Sequence, residues 1–214
     1  MNNIQLHNVV PDIFSSREDL HSDIWCRDFG FERGKSYLIK AASGTGKSSL
    51  CSYLYGQRGD YRGDILFDGE NVATFNTNRW CDIRQHHISV LFQDLKLFGE
   101  LTSLENIEIK NNITHHKSLK EIELLFEEFG IGDKIHSRID RMSFGQQQRV
   151  AFIRALCQPY DYILLDEPVS HLDDANGDIL RDILLRETLA KGAALITTSI
   201  GKHMNIDYDV CLNL

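Results

Sequence analysis

The chain has 214 residues, 31 acidic and 23 basic side chains, and a formal net charge of −8. This length allows one large domain or one domain with an inserted subdomain, and a core that needs no disulfide or metal staple. The acidic balance excludes a duplex-wrapping nucleic-acid binder, which needs a basic face, and no apolar run approaches the roughly 20 residues that cross a bilayer.

In chain order, the start MNNIQLHNVVPDIF lacks the basic head and continuous apolar core of a secretory signal. Residues 37–41 form a short apolar strand, followed by a Gly-rich turn and a helix-compatible stretch over 47–55. Ile65 to Phe67 read as a strand entering a tight Asp68-Gly69 turn. Residues 88–92 give another strand. Ser118-Leu119-Lys120-Glu121 is a capping box, and Ile122, Leu125, Phe126 and Phe129 follow at helical spacing, with Gly130 at the C-cap. Its apolar stripe is expected to pack a core rather than a membrane, since Glu121, Glu123, Glu127 and Glu128 oppose an anionic lipid surface. A second helix starts near Ser143 and runs to about Cys157. Residues 162–165 make a strand, 174–190 a helix, 193–198 a strand and 207–212 a last short strand. Strands at both ends with helices between predict a parallel α/β core carrying a helical insertion. The five scattered cysteines, without CxxC pairing, fit free thiols in a reducing cytoplasm, each by default a buried small hydrophobe. The pairs His86-His87 and His115-His116 invite a metal reading, but adjacent side chains diverge and no third ligand stands near, so surface histidines are expected.

Three segments carry chemistry. Ala41-Ala42-Ser43-Gly44-Thr45-Gly46-Lys47-Ser48-Ser49 follows a strand and opens a helix, the setting of a phosphate-binding P-loop. Gly44 and Gly46 let successive N–H groups face inward, the helix N-terminus adds partial positive charge, Lys47 would reach the β- and γ-phosphates, and the Ser48 hydroxyl would coordinate Mg²⁺. Ala41 stands where the pattern begins with Gly, and a small residue can still close the loop. A Gly-Ser turn with a chance Gly-Lys-Ser is the alternative. The strand Tyr162-Ile163-Leu164-Leu165 ends in Asp166-Glu167-Pro168, placing two carboxylates at the carboxyl edge of a sheet, where α/β ligands bind. Asp166 would hold Mg²⁺ and Glu167 would act as general base on water; a solvated acidic turn is the alternative. In the third, Met142-Ser143-Phe144-Gly145-Gln146, Ser143 caps a helix with Gln146 reaching back, aiming a hydroxyl and N–H groups at an anion.

That third segment, continuing Gln147-Gln148-Arg149-Val150-Ala151 and preceding the Asp-Glu pair by 20 residues, resembles the signature of ABC-type ATPases. The resemblance covers nearly the whole chain. It implies an α/β P-loop NTPase core with a β-rich N-terminal portion and a helical insertion subdomain. The single domain over 1–214 would divide into a core of about 1–94 and 161–214 and a subdomain of about 95–160. It implies further roles: Gln93 as the Q-loop glutamine that touches Mg²⁺, and Ser170-His171-Leu172-Asp173 as the D-loop, with Asp173 at the nucleotide interface. Phe14 is either an aromatic stacking on adenine or a core residue. Leu101-Thr102-Ser103-Leu104-Glu105-Asn106 looks most like the lipoprotein-release and macrolide-export type. The implied function is ATP binding and hydrolysis powering a transporter, through a head-to-tail homo- or heterodimer in which ATP lies between Lys47 of one subunit and Ser143 of the other. The implied partner is a separate transmembrane permease subunit that holds the protein on the cytoplasmic face of a membrane, docking in the groove between the Gln93 loop and the helical insertion; no nucleic acid is expected.

Two positions depart from the family. Ser199 occupies the position of a histidine that senses the γ-phosphate, and serine lacks its charge and reach. His203 would share its face if one helical turn followed. Phe144 stands where the signature usually has Gly. Both changes bear on hydrolysis rate more than on binding, so an ATP-gated switch or the weak half of a heterodimer is the competing function.

Overall fold

The computed structural model describes residues 1–17, 20–170 and 174–214. Its elements run β1 (Asn3–Pro11), β2 (Asp28–Glu32), β3 (Ser36–Lys40), α1 (Lys47–Leu54), β4 (Tyr61–Phe67), β5 (Glu70–Asn71), α2 (Thr77–His86), β6 (Ile88–Leu91), α3 (Ser103–Thr114), α4 (Leu119–Glu128), α5 (Phe144–Leu156), β7 (Tyr162–Asp166), α6 (Asp174–Glu187), β8 (Ala194–Ser199) and β9 (Val210–Asn213). Strands β2-β1-β4-β5 form an antiparallel sheet, and β6-β7-β8-β3-β9 a parallel one.

The central parallel strands β3, β7 and β8 carry consecutive apolar residues because both faces of the sheet are covered there. On β7 and β8, Tyr162, Leu164, Ala194 and Ile196 pack with Ile4 and Leu6 of β1, Phe67 of β4 and Leu50 and Leu54 of α1. The intervening Ile163, Leu165 and Leu195 pack with Phe126 of α4, Val150 and Ile153 of α5 and Leu184 of α6. The period of two along each strand thus divides the interior into two cores, one on each side of the sheet.

Local signals set the element ends. Both Asp68 (φ 48°) and Gly69 (φ 85°) are left-handed, as a two-residue hairpin between β4 and β5 requires. Capping boxes start α3 (Thr102 with Glu105), α4 (Ser118 with Glu121) and α5 (Ser143 with Gln146). Five elements have no counterpart among the sequence expectations: β1, β2, β5, α2 and α3. Helix α6 ends at Glu187 rather than near 190, where a 3-10 turn over Leu189–Lys191 and Gly192 (φ 72°) close it. No helix of the described residues is long and apolar enough to cross a membrane.

The strand order positions the chemistry. β8 lies between β7 and β3, in register so that Thr198 faces both Asp166 and Ile39, while Ser199 faces Lys40. The carboxyl ends of three strands, and the residues directly after them, therefore meet at one edge.

Candidate functional site

The loop over residues 41–46 leaves β3 and turns into α1 through Gly44 (φ 81°) and Gly46 (φ 101°). At Gly46 the left-handed backbone coincides with crowding: a Cβ would lie 3.1 Å from Trp25 and 3.2 Å from Phe14, so only glycine fits. Lys47, only 5% exposed, donates to the carbonyls of Ala42 (2.9 Å) and Ala41 (3.4 Å), and its Nζ lies 3.7 Å from Glu167 Oε1. The Thr45 hydroxyl donates to the Ala42 carbonyl at 2.9 Å. Ser48 Oγ donates to Asp166 Oδ2 at 2.5 Å, across 118 residues of sequence. The Ser49 hydroxyl is engaged by the Arg58 guanidinium at 3.1 Å.

Asp166 ends β7 as a buried carboxylate whose second oxygen accepts the Thr198 hydroxyl at 2.6 Å. Thr198 in turn accepts the Glu167 N–H at 3.2 Å. Glu167 has φ 54°, a conformation in which a non-glycine residue carries about 1–3 kcal/mol of strain and which clusters at functional sites. Its carbonyl is held by the N–H and hydroxyl of Ser170. Gln93, exposed just beyond β6, lines an open cleft of about 760 Å³ with Ser48, Arg58 and Asp166. An adjoining cleft of about 360 Å³ adds Phe14, Ser43, Gly44, Gly46, Lys47, Ser49, Glu167 and Ile200. Cys51 borders the first cleft, but burial, reinforced by the Asp166 charge, pushes its thiol well up, so it stays protonated and inert.

Ser48, Asp166 and Gln93 form an all-oxygen donor set at one cleft, which suits a hard cation such as Mg²⁺. Among the described residues no three His, Cys, Asp or Glu side chains converge as a metal site. His86 turns to Asp82 (3.1 Å), and the half-buried His87 turns inward to Asp161 (2.6 Å), so His87 is not the surface residue expected of it.

Other predicted residues lie elsewhere. Ser143, Gly145 and Gln146 start α5, Ser143 exposed with its capping box intact, and they line neither cleft. Exposed Phe144 is the first residue of the same helix. Asp173 lies outside the described residues. Phe14 is 5% exposed, packed in the core, with the Arg17 guanidinium 4.5 Å over its ring. Ser199 is buried, and its hydroxyl closes a turn by accepting from Gly201 N–H (3.0 Å) and donating to the Lys202 carbonyl (2.9 Å). His203 does not share its face: residues 200–209 are not helical, so the four-residue spacing carries no adjacency, and the imidazole meets the Met204 carbonyl instead. The cysteine expectation also needs correction, since Cys26, Cys81 and Cys211 are exposed and only Cys51 and Cys157 are buried.

Three supporting residues were missed. Thr198 bridges the two carboxylate residues, and nothing in its local sequence announces this. Arg154 of α5 clamps the carbonyls of Leu95 (2.6 Å) and Lys96 (2.7 Å), two consecutive left-handed residues just past Gln93. Gln148 of α5 donates to the Pro168 carbonyl at 2.7 Å, joining the signature helix to the loop after Glu167.

Comparison with known proteins points one way. The profile of a family described as ABC transporter matches residues 27–170. An uncharacterized ABC transporter ATP-binding protein of Thermotoga maritima is 33% identical over 191 residues, covering 87% of this chain and 81% of that protein. The lipoprotein-releasing system ATP-binding protein LolD of Syntrophus aciditrophicus is 32% identical over 175 residues, covering 80% of this chain and 78% of its own. Among solved structures, a dimeric bacterial ABC transporter cassette superposes with a TM-score of 0.78 at 23% identity, over 92% of this chain and 87% of that one, a likeness of fold.

Proposed function

The chain belongs to the ABC transporter family, as an ATP-binding subunit with the P-loop ABC ATPase fold, and we propose that it hydrolyses ATP to drive a separate transmembrane permease. The observation that carries this reading is the convergence of Lys47, Ser48, Gln93, Asp166 and Glu167 on two adjoining clefts at the carboxyl edge of one sheet. In this reading ATP is the substrate. Its β- and γ-phosphates lie against the N–H groups of the loop and the Lys47 ammonium, which exchanges carbonyl contacts for phosphate oxygens. Ser48, Asp166 and Gln93 would hold Mg²⁺, which neutralises charge on the phosphates when bound. Glu167 takes a proton from water as the water oxygen attacks the γ-phosphorus and the bond to ADP breaks. The protein's contribution is positioning and charge stabilisation.

The exposed Ser143 end of α5, pointing at neither cleft, supports a head-to-tail dimer in which a second subunit supplies the signature. Residues of about 95–160 would act as the helical subdomain, and the groove beside Gln93 would dock the permease at the cytoplasmic face. A second reading, a slow ATP-gated switch, is favoured by one observation: the Ser199 hydroxyl is committed to its own turn.

Steady-state ATPase with Mg²⁺ on wild type and Glu167→Gln separates them. Turnover in wild type that Glu167→Gln lowers by 100-fold or more, in the range expected for loss of a general base, supports hydrolysis. Retained nucleotide binding with no turnover in wild type refutes it in favour of the switch.

A further inference from the structure

Trp25 takes no part in the proposed chemistry, yet its side chain packs against the phosphate loop. It is 1% exposed and does not line the cleft; it lies behind the loop. Its indole N–H donates to the Thr45 carbonyl at 3.0 Å. Its ring atoms Cζ2 and Nε1 lie 3.1 and 3.3 Å from where a Gly46 side chain would begin. We propose that Trp25 is a positioning residue of the phosphate loop: by holding the Thr45 carbonyl to the rear, it aims the Gly46 N–H forward into the cleft where phosphate binds. The proposal rests on the nucleotide-binding reading of that loop.

The physics is that of a planar trans peptide, in which C=O and the following N–H point in opposite directions. Fixing one therefore fixes the other. Gly46, at φ 101°, has the backbone freedom to let this peptide rotate, so something outside the loop must choose its orientation. The indole can do so because it is itself immobile. The Ser22 hydroxyl oxygen accepts the N–H groups of Ile24 (3.0 Å) and Trp25 (2.8 Å). Asp23 ties the same turn to β9, donating its N–H to the Asn213 carbonyl and accepting the Asn213 N–H at 2.7 Å. The ring also meets Tyr53 of α1 edge-on, with centroids 6.4 Å apart. A phenylalanine would supply a smaller apolar ring here; what tryptophan adds is the fused second ring and a buried donor, and a buried donor must find an acceptor. Here that acceptor belongs to the loop.

The test uses the full chain and two probes, ADP and inorganic tripolyphosphate. Trp25→Phe keeps an aromatic ring and removes the donor along with the fused five-membered ring. It should weaken both probes by the same factor, about three- to tenfold, the affinity equivalent of one neutral hydrogen bond. A purely structural role would lower the melting temperature without a matched loss for a probe that carries only phosphates. In a Trp80→Phe background, Trp25 is the sole indole, and saturating tripolyphosphate should shift its emission. Unchanged affinities in folded Trp25→Phe would overturn the proposal, and so would weakening confined to ADP, which would place the effect at the base. If Trp25→Phe does not fold, Trp25 emission unmoved by saturating tripolyphosphate overturns it and a shift upholds it. Wild type that binds neither probe overturns the proposal and the nucleotide reading together, whereas wild-type binding with no effect of Trp25→Phe overturns the proposal alone.

Discussion

Replacing Thr198 by valine keeps the shape of a fully buried side chain and removes a single oxygen. That oxygen makes two contacts: it donates to the Asp166 carboxylate and accepts the Glu167 N–H. A hydrogen bond to a charged group contributes about 1.5–3 kcal/mol, and a buried N–H left without a partner costs about 1–3 kcal/mol. With partial relaxation, Thr198→Val should lose about 3 kcal/mol of unfolding free energy, or roughly 6–12 °C of melting temperature for a chain of this size. Thr198→Ser keeps the oxygen and removes one methyl, so it should lose only about 1 kcal/mol. The assay is urea unfolding followed by circular dichroism, with ATPase turnover measured on the same preparations. Valine should also depress turnover, because the N–H that fixes the left-handed Glu167 backbone is released, whereas serine should leave turnover close to wild type. Equal stabilities for the valine and serine variants would refute the reasoning, since the shared oxygen would then hold nothing.

Glu187 gives a pH prediction. Burial would raise its carboxyl, but hydrogen bonds and charge from Lys191 and Lys117 outweigh burial and hold it at about 2, against an ordinary value of 4.5. An acid depressed on folding stabilises the fold above its unfolded pKa and loses that contribution as pH falls from about 4.5 toward 2; the stability difference between wild type and Glu187→Gln should shrink across that window in urea titrations, and a constant difference would contradict the ion-pair account. Ser199→His should lower the melting temperature and leave ATPase turnover no higher than wild type, because imidazole cannot reproduce the turn that the Ser199 hydroxyl closes; a faster enzyme by steady-state assay would show that the turn yields to the new side chain.

The legible parts of this fold share a physical cause. Strands β3, β7 and β8 are covered on both faces, so each carries a run of three or more consecutive apolar residues. Helix α4 buries Ile122, Leu125 and Phe126 on one stripe and announces its start with a capping box. The unread elements break these rules. In β1 the alternation of Ile4 and Leu6 is interrupted by a register shift after His7, where Asn8 is left-handed, so Val9 and Val10 fall out of phase. Helix α2 buries only Ile83 and has no stripe to find. In α3 the inward face is partly asparagine: Asn106 bonds the Phe98 backbone, and Asn111 bonds that of Lys117, so burial there does not look hydrophobic. The site divides the same way. The phosphate loop and the Asp166-Glu167 pair are contiguous and carry their own spacing, whereas Thr198, Arg154 and Trp25 act across 20 or more residues, through contacts that only the folded chain creates.

The outward contacts of the phosphate loop explain how a chain of net charge −8 can favour a polyanion. In the loop the Thr45 carbonyl is held to the rear by the Trp25 indole, while the Lys47 ammonium, which lines the cleft, occupies the Ala41 and Ala42 carbonyls until phosphate oxygens replace them. The Thr45 carbonyl held behind the loop leaves the Gly46 N–H directed inside, a dipole that needs no reorientation when phosphate arrives. The helix that begins at Lys47 adds its own free N–H groups and partial positive charge at the same place. Preorganised amides at a few ångströms outweigh a diffuse excess of surface carboxylates, whose field in solvent is screened over about 8–10 Å. Composition therefore excludes a duplex-wrapping surface and says nothing against a nucleotide, and the two conclusions come from the same electrostatics applied at different distances.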